Sequence, residues 1–332
     1  MNYVELQLAA QWPMVDCHRH LGGSTNIDFI MHAMEKEACP RQTREAVIRQ
    51  MVCHPNEQYH NMFELFLQKF KILDKINWTE ELVADNIRYV CEDINKENID
   101  AVFMDFSVSK YRHIGWSLAQ AIGFICDRFD EYSHVPIIPI LSIKYESPEE
   151  AQQKIAKIIN DPVGDKICGI DFVGDESKFN PRIQSRICNM WKGRFVRLHI
   201  GESGPVSNII ESFEFPGVTN IAHGIKIADD AELGMYATYD YEYTFDIAPT
   251  SNYVTGVVKN DSVHPAVKMH RNNIKLTLGS DDPVQLQTNL ENECRVLLNQ
   301  GITTNELSDI LNRGQEQYLK WEKFARCITK HI

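Results

Sequence analysis

Eight short apolar runs, separated by helix-length intervals, constrain the fold of this chain more than any other feature of its sequence. They cover residues 14–18, 101–107, 137–143, 167–174, 194–201, 220–225, 244–250 and 274–281. Eight strands that alternate with helical stretches predict an α/β fold of the (β/α)8 barrel type. The length of 332 residues suits such a barrel with insertions.

A doubly wound open sheet is the rival architecture. That fold more often carries a glycine-rich nucleotide-binding loop, and this sequence has none. The sequence also contains no internal repeat, no low-complexity tract and no Pro/Gly/Ser linker that would divide it. We therefore expect residues 1–332 to form a single domain.

The long interval between the first two apolar runs predicts extra helices inserted after strand 1. Within residues 25–100 lies an apolar stripe at helical spacing, formed by Phe63, Phe66, Phe70 and Leu73. We expect most of this stripe to pack in the core. Because a helix inserted at this point stands over the barrel mouth, part of the stripe can also wall a pocket.

Composition narrows the possible partners. The formal net charge of −12 argues against binding to nucleic acid or to an anionic membrane, because both require a basic surface. No apolar segment has the length of a transmembrane helix, and the N-terminus has no secretory signal pattern. Nine scattered cysteines without a C-x-x-C pair are typical of reduced thiols. We expect a cytoplasmic protein with no nucleic-acid or membrane partner, and the sequence indicates no oligomeric state.

The stretch VDCHRHLGGS places two histidines one residue apart at the end of the first apolar run. Side chains i and i+2 of a strand point to the same face, so His18 and His20 should project together. Two imidazoles on one face are half of a metal site. The alternative, at this point equally good, is that two polar residues simply leave the strand.

The other polar residues of this kind favour the metal interpretation. Side chains that can bind a metal or transfer a proton recur at the carboxyl ends of the predicted strands: His18, His20, Asp171, His199, Glu202, His223, Asp281 and Asp282. In (β/α)8 barrels this end carries the active site. Scattered polar residues would not be expected to gather at the same end of so many strands.

A catalytic zinc takes nitrogen and oxygen ligands and leaves one position open for water. His18, His20 and His199 supply three nitrogens, and Asp281 supplies an oxygen. We therefore expect one zinc ion per chain. Zinc lowers the pKa of bound water enough to make hydroxide available near neutral pH.

Three further side chains are candidates for catalysis. Glu202 follows His199 across the Gly201 turn, so it can reach the same cavity and donate a proton to a substrate nitrogen. His223 can orient or deprotonate the attacking water. Asp282 can accept a hydrogen bond from water or from the substrate.

Each of these residues also has a purely structural explanation. A histidine at a strand end is usually a polar terminus, Asp282 can cap the helix after the DDP turn, and Asp171 and Asp175 can hold loops. Their joint placement favours function. The other histidines lack such partners, and we expect them to be surface or packing residues: His32, His54, His60, His113, His134, His264, His270 and His331.

Six motifs occur in order between about residues 14 and 320: HRHLGGS, GIDFVGDE, LHIGE, IAHG, APTSNYVTG and GSDDP. They resemble H-x-H-L-D-G, G-x-D-L-x-G-x-E, H-A-G-E, I-G-H-G, C-P-x-S-N-x-x-T-G and x-T-D-D-P of the adenosine deaminase family, in the amidohydrolase superfamily. MFELFLQKF is similar to the family's segment over the substrate. Six motifs in the same order are highly specific.

The resemblance implies a role for each matching residue. The zinc ligands are His18, His20, His199 and Asp281. Glu202 protonates purine N1, and His223 and Asp282 steer the hydroxide that attacks C6. Asp282 also contacts N7, and the backbone N–H of Gly174 reaches N3. The products are a 6-oxopurine and ammonia.

The match fails at the sugar end of the expected substrate. The family's aspartate that contacts the ribose 5′-hydroxyl is Gly22 here, which removes an acceptor and opens space. DFSVSK replaces E-x-R-x-S-P, so Asp105 and Ser107 alter a buried ion pair. Three cations fall near strand ends where a phosphate could be received, although solvated surface residues are the more common case: Lys110, Arg112 and Lys144.

Three hypotheses follow. The first is a zinc hydrolase that deaminates adenosine or a close 6-aminopurine nucleoside. The second is the same chemistry on a 5′-substituted nucleoside, an N6-modified nucleotide or free adenine. The third is a catalytically silent purine-binding protein, which ranks last because such proteins should lose ligands or the proton donor.

Overall fold

Eight parallel strands form the centre of the molecule and pair in chain order. The structure is a computed structural model that describes residues 12–53 and 62–327. The strands are β1 (Val15–His20), β2 (Ala101–Phe106), β3 (Ile137–Lys144), β4 (Gly169–Val173), β5 (Phe195–Ile200), β6 (Asn220–His223), β7 (Thr244–Ile247) and β8 (Leu276–Leu278). The predicted (β/α)8 barrel is thereby confirmed.

The first and last strands approach each other just beyond β8 and nearly close the sheet. Arg19 and Asp281 form a parallel bridge. The His20 N–H donates to the Asp281 carbonyl at 2.8 Å, and the Asp281 N–H donates to the His18 carbonyl at 2.7 Å. Closure therefore brings the β1 histidines next to the acidic residues that follow β8.

Helices surround the barrel. In the described residues the α-helices are α1 (Leu21–Ser24), α2 (Ile27–Glu35), α3 (Arg44–Met51), α4 (Met62–Gln68), α5 (Glu80–Ile94), α6 (Leu118–Tyr132), α7 (Glu149–Ala156), α8 (Pro181–Met190), α9 (Ser207–Ser212), α10 (Ala231–Tyr239), α11 (Pro249–Val254), α12 (Pro265–Arg271), α13 (Pro283–Leu286), α14 (Leu290–Asn299) and α15 (Thr304–Trp321). The 3-10 helices are Leu73–Lys75, Ser109–Ile114, Lys157–Asn160, Pro162–Lys166, Glu176–Lys178, Ile225–Asp229 and Glu322–Phe324.

The helices α1 to α5 lie between β1 and β2, as the long interval predicted. Local signals explain where they begin. The Asn26 side chain accepts the Phe29 N–H at the start of α2, and the Thr79 hydroxyl accepts the Leu82 N–H at the start of α5. Both helices bury one apolar face, so packing against the barrel stabilises them. No helix within the described residues is long and apolar enough to cross a membrane.

The barrel interior changes from apolar to charged along its axis. At the amino end, Phe103 and Phe195 pack with ring centroids 5.7 Å apart, and Trp321 of α15 covers Phe195. Two residues further along each strand, the inward positions are Asp105 and Arg197. A polar layer therefore separates the core from the carboxyl end.

Arg197 is the centre of this layer and is completely buried. Its guanidinium donates to Asp171 at 2.7 Å and to Asp246 at 2.9 Å, and it also pairs with Asp105. Burial alone would raise the pKa of Asp171, but the Arg197 charge holds it well below its usual range. Asp105, which was expected to alter a buried ion pair of the family, pairs with Arg197 in this chain. The layer keeps the Asp171 carboxylate charged directly below the carboxyl ends of the strands.

Candidate active site

The predicted site residues gather around one cavity at the carboxyl ends of the strands. The cavity measures about 320 Å³. Its walls include His20, His199, Glu202, His223, Asp281 and Asp282, and His18 lies directly beneath it. The structure therefore brings together the side chains that the sequence analysis proposed as metal ligands and catalytic groups.

Three imidazole nitrogens converge in this cavity. His18 Nε2 lies 3.0 Å from His20 Nε2 and 3.1 Å from His199 Nε2. Asp281 Oδ1 is 3.3 Å from His20 Nε2 and 3.7 Å from His18 Nε2. Neutral imidazoles cannot satisfy such a cluster by hydrogen bonding alone, because each has a single N–H. Three nitrogens and one oxygen match the donor set of a catalytic zinc.

Local charge favours a cation at this point. Burial would lower the pKa of His20, but the carboxylates of Asp281 and Asp282 raise it to about 10. Burial, together with the Arg197 charge, holds the pKa of His18 well below its usual range, so this ring is neutral and offers a lone pair. The potential that attracts a proton to His20 also attracts a metal ion.

His199 shows the outer hydrogen bond typical of metal-ligating histidines. Its Nδ1 lies 3.0 Å from Asp171 Oδ1, so the charged carboxylate keeps the proton on Nδ1 and leaves Nε2 free. His18 differs, because its buried Nδ1 has no hydrogen-bond partner within the described residues. The four side chains fit a zinc ion, and Asp171 acts on His199 rather than only holding a loop.

Two of the site residues adopt the left-handed backbone conformation. His223 and Asp281 both have φ of 59°. This conformation is uncommon for residues other than glycine and is enriched at functional sites. For Asp281 the two backbone hydrogen bonds to β1 hold the conformation in place. The backbone is therefore strained at the two positions from which these side chains enter the cavity.

Glu176 holds the loop that carries Glu202. Its carboxylate accepts the N–H groups of Gly201 and Gly204, each at 2.6 Å, and the Asn208 amide at 2.9 Å. A Cβ at Gly204 would lie 2.5 Å from this carboxylate, so a larger residue there would displace Glu176. No role for Glu176 was predicted from the sequence. The one feature that could have pointed to this residue is its position at the end of the motif GIDFVGDE.

Glu202 is buried and carries a proton at neutral pH. Burial, reinforced by the Asp281 charge, raises the pKa of Glu202 to about 8. Its Oε1 accepts a hydrogen bond from the Asn252 amide at 3.0 Å. A protonated carboxyl group beside the three histidines can act as a general acid.

A hydrogen-bond chain from His264 determines the tautomer of His223. The Ala266 N–H donates to His264 Nδ1 at 3.1 Å, so the His264 proton is on Nε2 and points to Asn252 Oδ1 at 3.2 Å. The Asn252 amide nitrogen in turn donates to His223 Nδ1 at 3.1 Å. Neutral His223 therefore carries its proton on Nε2.

This tautomer separates the two roles considered for His223. Burial lowers the pKa of His223, so the ring is neutral, and its Nε2 lies 3.7 Å from Glu202 and 3.8 Å from Asp281. A protonated Nε2 can orient water by donating a hydrogen bond, but it cannot accept a proton at that atom. His264 is buried, as expected of a packing residue, but it also belongs to this polar chain, which was not predicted from the sequence.

Gly23 and Asp282 explain the paired glycines of HRHLGGS. A Cβ at Gly23 would lie 1.8 Å from Asp282 Oδ1, so the carboxylate occupies the space of that side chain. Asp282 stands at the N-cap of α13 but makes no side-chain capping bond, which rules out the capping role. Burial and the Asp281 charge raise the pKa of Asp282 well above its usual range.

Gly22 and Gly174 line the other side of the cavity. A Cβ at Gly22 would meet no atom within 4 Å. Gly174 has φ of +98°, and a Cβ there would lie 2.3 Å from the Glu146 carboxylate. Only Gly174 is therefore required by backbone and packing, and Gly22 leaves open space.

Apolar residues of the insertion after β1 and two of the three basic residues also line the cavity. Phe66, Leu67 and Phe70 line the cavity, so part of the apolar stripe does wall a pocket. Lys110 and Lys144 also line it, whereas Arg112 is exposed and outside it.

The remaining histidines lie away from the cavity or outside the described residues. His32 pairs with Asp85 at 2.9 Å, and His113 contacts the Trp78 carbonyl. His134 is exposed and His270 lies in α12. The positions outside the described residues are His54, His60 and His331.

A (β/α)8 barrel with histidine and carboxylate side chains gathered at the carboxyl ends of its strands is the arrangement found in a class of metal-dependent hydrolases. The family model described as adenosine deaminase matches residues 13–320. The chain belongs to the adenosine deaminase family, and it is a hydrolytic deaminase.

One relative is similar in sequence over most of the chain, and one solved structure shares the fold. An adenosine deaminase of Clostridium kluyveri is 26% identical over 310 residues, covering 92% of this chain and 88% of the relative. A Burkholderia ambifaria amidohydrolase structure with bound Zn has a TM-score of 0.82 at 18% identity, covering 95% of this chain and 88% of the other.

Two further solved structures share the fold. The adenine deaminase of Arthrobacter aurescens has a TM-score of 0.76 at 18% identity, covering 94% of this chain and 98% of the other. The N6-methyl-AMP deaminase of Arabidopsis thaliana has a TM-score of 0.68 at 20% identity, covering 96% and 98%.

Proposed function

We propose that this protein catalyses zinc-dependent hydrolytic deamination of a 6-aminopurine nucleoside, adenosine or a close analogue, to an inosine-type product and ammonia. The observation that carries the proposal is the position of Glu202. A carboxyl group with its pKa raised to about 8 lies in one cavity with three histidines and Asp281. This arrangement combines a metal site with a proton donor.

The metal would be held by His18, His20, His199 and Asp281, with one ion per chain. When bound, zinc supplies a water molecule activated as a nucleophile near neutral pH. Asp171 supports the site by keeping the His199 proton away from the metal-facing nitrogen.

The residues around the metal would divide the work on the purine. Glu202 holds a proton and delivers it to ring nitrogen N1, and protonation of N1 makes C6 more electrophilic. His223 donates from Nε2 and orients the attacking water, and Asp282 accepts a hydrogen bond from water or contacts N7. The N–H of Gly174 lies on the opposite wall, where it would bind N3.

Other 6-aminopurines fit the same chemistry. The similar structures include an adenine deaminase and an N6-methyl-AMP deaminase, so free adenine and N6-modified nucleotides are alternative substrates. The open space at Gly22 favours a substrate that carries a sugar with a 5′ substituent. A silent purine-binding protein is disfavoured because the ligand set and the proton donor are both present.

The test is an ultraviolet assay with adenine, adenosine, 5′-modified adenosines, AMP and N6-methyl-AMP, together with metal analysis of the purified protein. We expect the 6-oxopurine spectrum and ammonia with at least one substrate, and stoichiometric zinc. A zinc-loaded, folded protein that deaminates none of them would overturn the proposal.

A further inference from the structure

Two lysines stand on the wall of the cavity opposite the catalytic groups. Lys110 lies in the 3-10 helix Ser109–Ile114 that follows β2, and Lys144 is the last residue of β3. Gly22, which follows β1, lines the same cavity. The catalytic groups Glu202 and His223 follow β5 and end β6, so the two sets occupy different sides of the barrel mouth.

The two ammonium groups have little fixed counter-charge. Lys110 Nζ is 3.5 Å from Asp74 Oδ1, and the Asp74 side chain is 63% exposed. Such an exposed pair contributes little and can exchange for another anion. The Lys144 side chain has no hydrogen bond or ion pair within the described part of the chain.

Apart from Asp74, no carboxylate forms an ion pair with either ammonium group within the described residues, although Asp105, Glu146 and Asp282 line the same cavity and the Asp282 charge acts on Lys110. Glu176 is occupied by the N–H groups of the Glu202 loop and by Asn208. Glu146 is exposed, lines the cavity and accepts the Asp175 N–H at 3.4 Å. Burial lowers the pKa of Lys110, and the positive charge of Lys144 lowers it further. Lys110 is half-buried and Lys144 is exposed, and both line the cavity, so a phosphate that enters it can accept hydrogen bonds from the two ammonium groups.

Gly22 removes the obstacle that a carboxylate would create. A Cβ at this position would meet no atom within 4 Å, so the cavity has room beside the lysines and carries no negative charge at Gly22. A purine whose reacting edge faces Glu202 directs its sugar away from the catalytic groups. The group attached to the sugar then meets the side of the cavity that carries Lys110 and Lys144.

We propose that Lys110 and Lys144 form a binding subsite for the 5′-phosphate of the substrate, which is therefore a 6-aminopurine nucleoside 5′-monophosphate. This inference rests on the proposed function, because it places the reacting edge of the purine at Glu202. The two lysines bind the phosphate oxygens by charge-assisted hydrogen bonds.

The kinetic test compares AMP with adenosine in the wild type and in the variants Lys110→Met, Lys144→Met and the double variant. We expect kcat/KM for AMP to fall about tenfold or more per substitution, while kcat/KM for adenosine changes by no more than about twofold. Arg112→Met is the matched control, because Arg112 lies on the same 3-10 helix but outside the cavity. It should leave both ratios unchanged.

A binding measurement separates this inference from the proposed function. Calorimetric titration with inosine 5′-monophosphate and with inosine needs no turnover. Tighter binding of the nucleotide, lost in the double variant, supports the subsite even if no purine is deaminated. Equal binding of both ligands by the wild type, or equal loss of both in the double variant, overturns the subsite even if adenosine is deaminated.

Discussion

The two sides of the cavity differ in how firmly their side chains are held. On the side of β5 to β8, Glu202 and His223 are buried and share the Asn252 amide. On the side of β2 and β3, Lys110 has one ion pair, with the exposed Asp74, and Lys144 has none within the described residues. Gly22, which follows β1, has open space beside it. The first side is pre-organised for one geometry, and the second can accommodate different groups.

This difference separates reaction type from substrate choice. Pre-organised groups that face the reacting atoms contribute most to catalysis, because they need no rearrangement during the reaction. Loosely held groups at a distance contribute binding energy that selects among substrates. Substitutions that face the reacting atoms should therefore lower kcat for every substrate, whereas substitutions among the loosely held groups should change the preference between substrates.

The largest effect is expected from His18→Ala on the β1 histidine that contacts both other imidazoles. The variant should lose its zinc and all measurable deaminase activity, because the substitution removes one of the four side chains proposed to hold the metal. Metal content and circular dichroism should be measured together. Stoichiometric zinc in a folded His18→Ala protein would contradict the ligand assignment.

Glu202→Gln should come next. The amide preserves the shape and the hydrogen-bonding capacity of the side chain but cannot deliver a proton, so kcat should fall by ~10²–10⁴. Zinc content should stay as in the wild type. Near-normal turnover would show that Glu202 is not the acid.

The wild-type pH profile gives a second test of the same group. Glu202 must be protonated to act, and burial raises its pKa to about 8. Activity should therefore be retained below this pH and should fall about tenfold per pH unit above it. The alkaline limb should be absent from the residual activity of Glu202→Gln. A profile without a limb near pH 8 would contradict the assignment.

The same contrast explains what the sequence could predict. The strands and the pair His18 and His20 follow from local periodicity, which is visible in a single segment. Strands β7 and β8 are shorter than predicted. The apolar run of β7 continues into Pro249, where α11 begins, and the run of β8 continues into the turn before Asp281. The apolar run alone does not distinguish strand from the turn or helix that follows.

The outer hydrogen bonds of the site could not be predicted. Glu176, Asn252 and His264 act through loops that are distant along the chain, and such contacts leave no periodic pattern. Resemblance to the family placed Glu176 and Asn252 within motifs but assigned them no role. The room at Gly22 likewise depends on the three-dimensional positions of neighbours rather than on the sequence near it.

Among the loosely held groups, Gly22→Asp should change the preference between adenosine and 5′-deoxyadenosine. A Cβ at Gly22 would meet no atom within 4 Å, and an aspartate there can accept a hydrogen bond from a ribose 5′-hydroxyl. The ratio of kcat/KM for adenosine to that for 5′-deoxyadenosine should rise ~10–100-fold, the effect of one hydrogen bond to a charged group. The wild type should use the two substrates at comparable rates. A wild type that prefers adenosine a hundredfold, unchanged in the variant, would show that another residue reads the 5′ end.

The smallest effect is expected from His264→Leu. His264 lies on the pre-organised side of the cavity but acts on His223 only through Asn252. The substitution removes the donor that orients the Asn252 amide, so this amide can rotate and His223 can adopt the other tautomer. Loss of one neutral hydrogen bond should lower kcat about two- to tenfold and leave KM unchanged.

His264→Gln should recover part of the loss, because its amide can again donate to Asn252. The exposed His134→Leu serves as the matched control and should have no effect. Nitrogen-15 chemical shifts of the His223 ring give a readout that does not depend on turnover, with the proton on Nε2 in the wild type and a mixture of tautomers in His264→Leu. A His264→Leu variant that is only less stable, with kcat and the His223 chemical shifts unchanged in the folded protein, would contradict this role. The groups that determine the tautomer of His223 would then extend no further than Asn252.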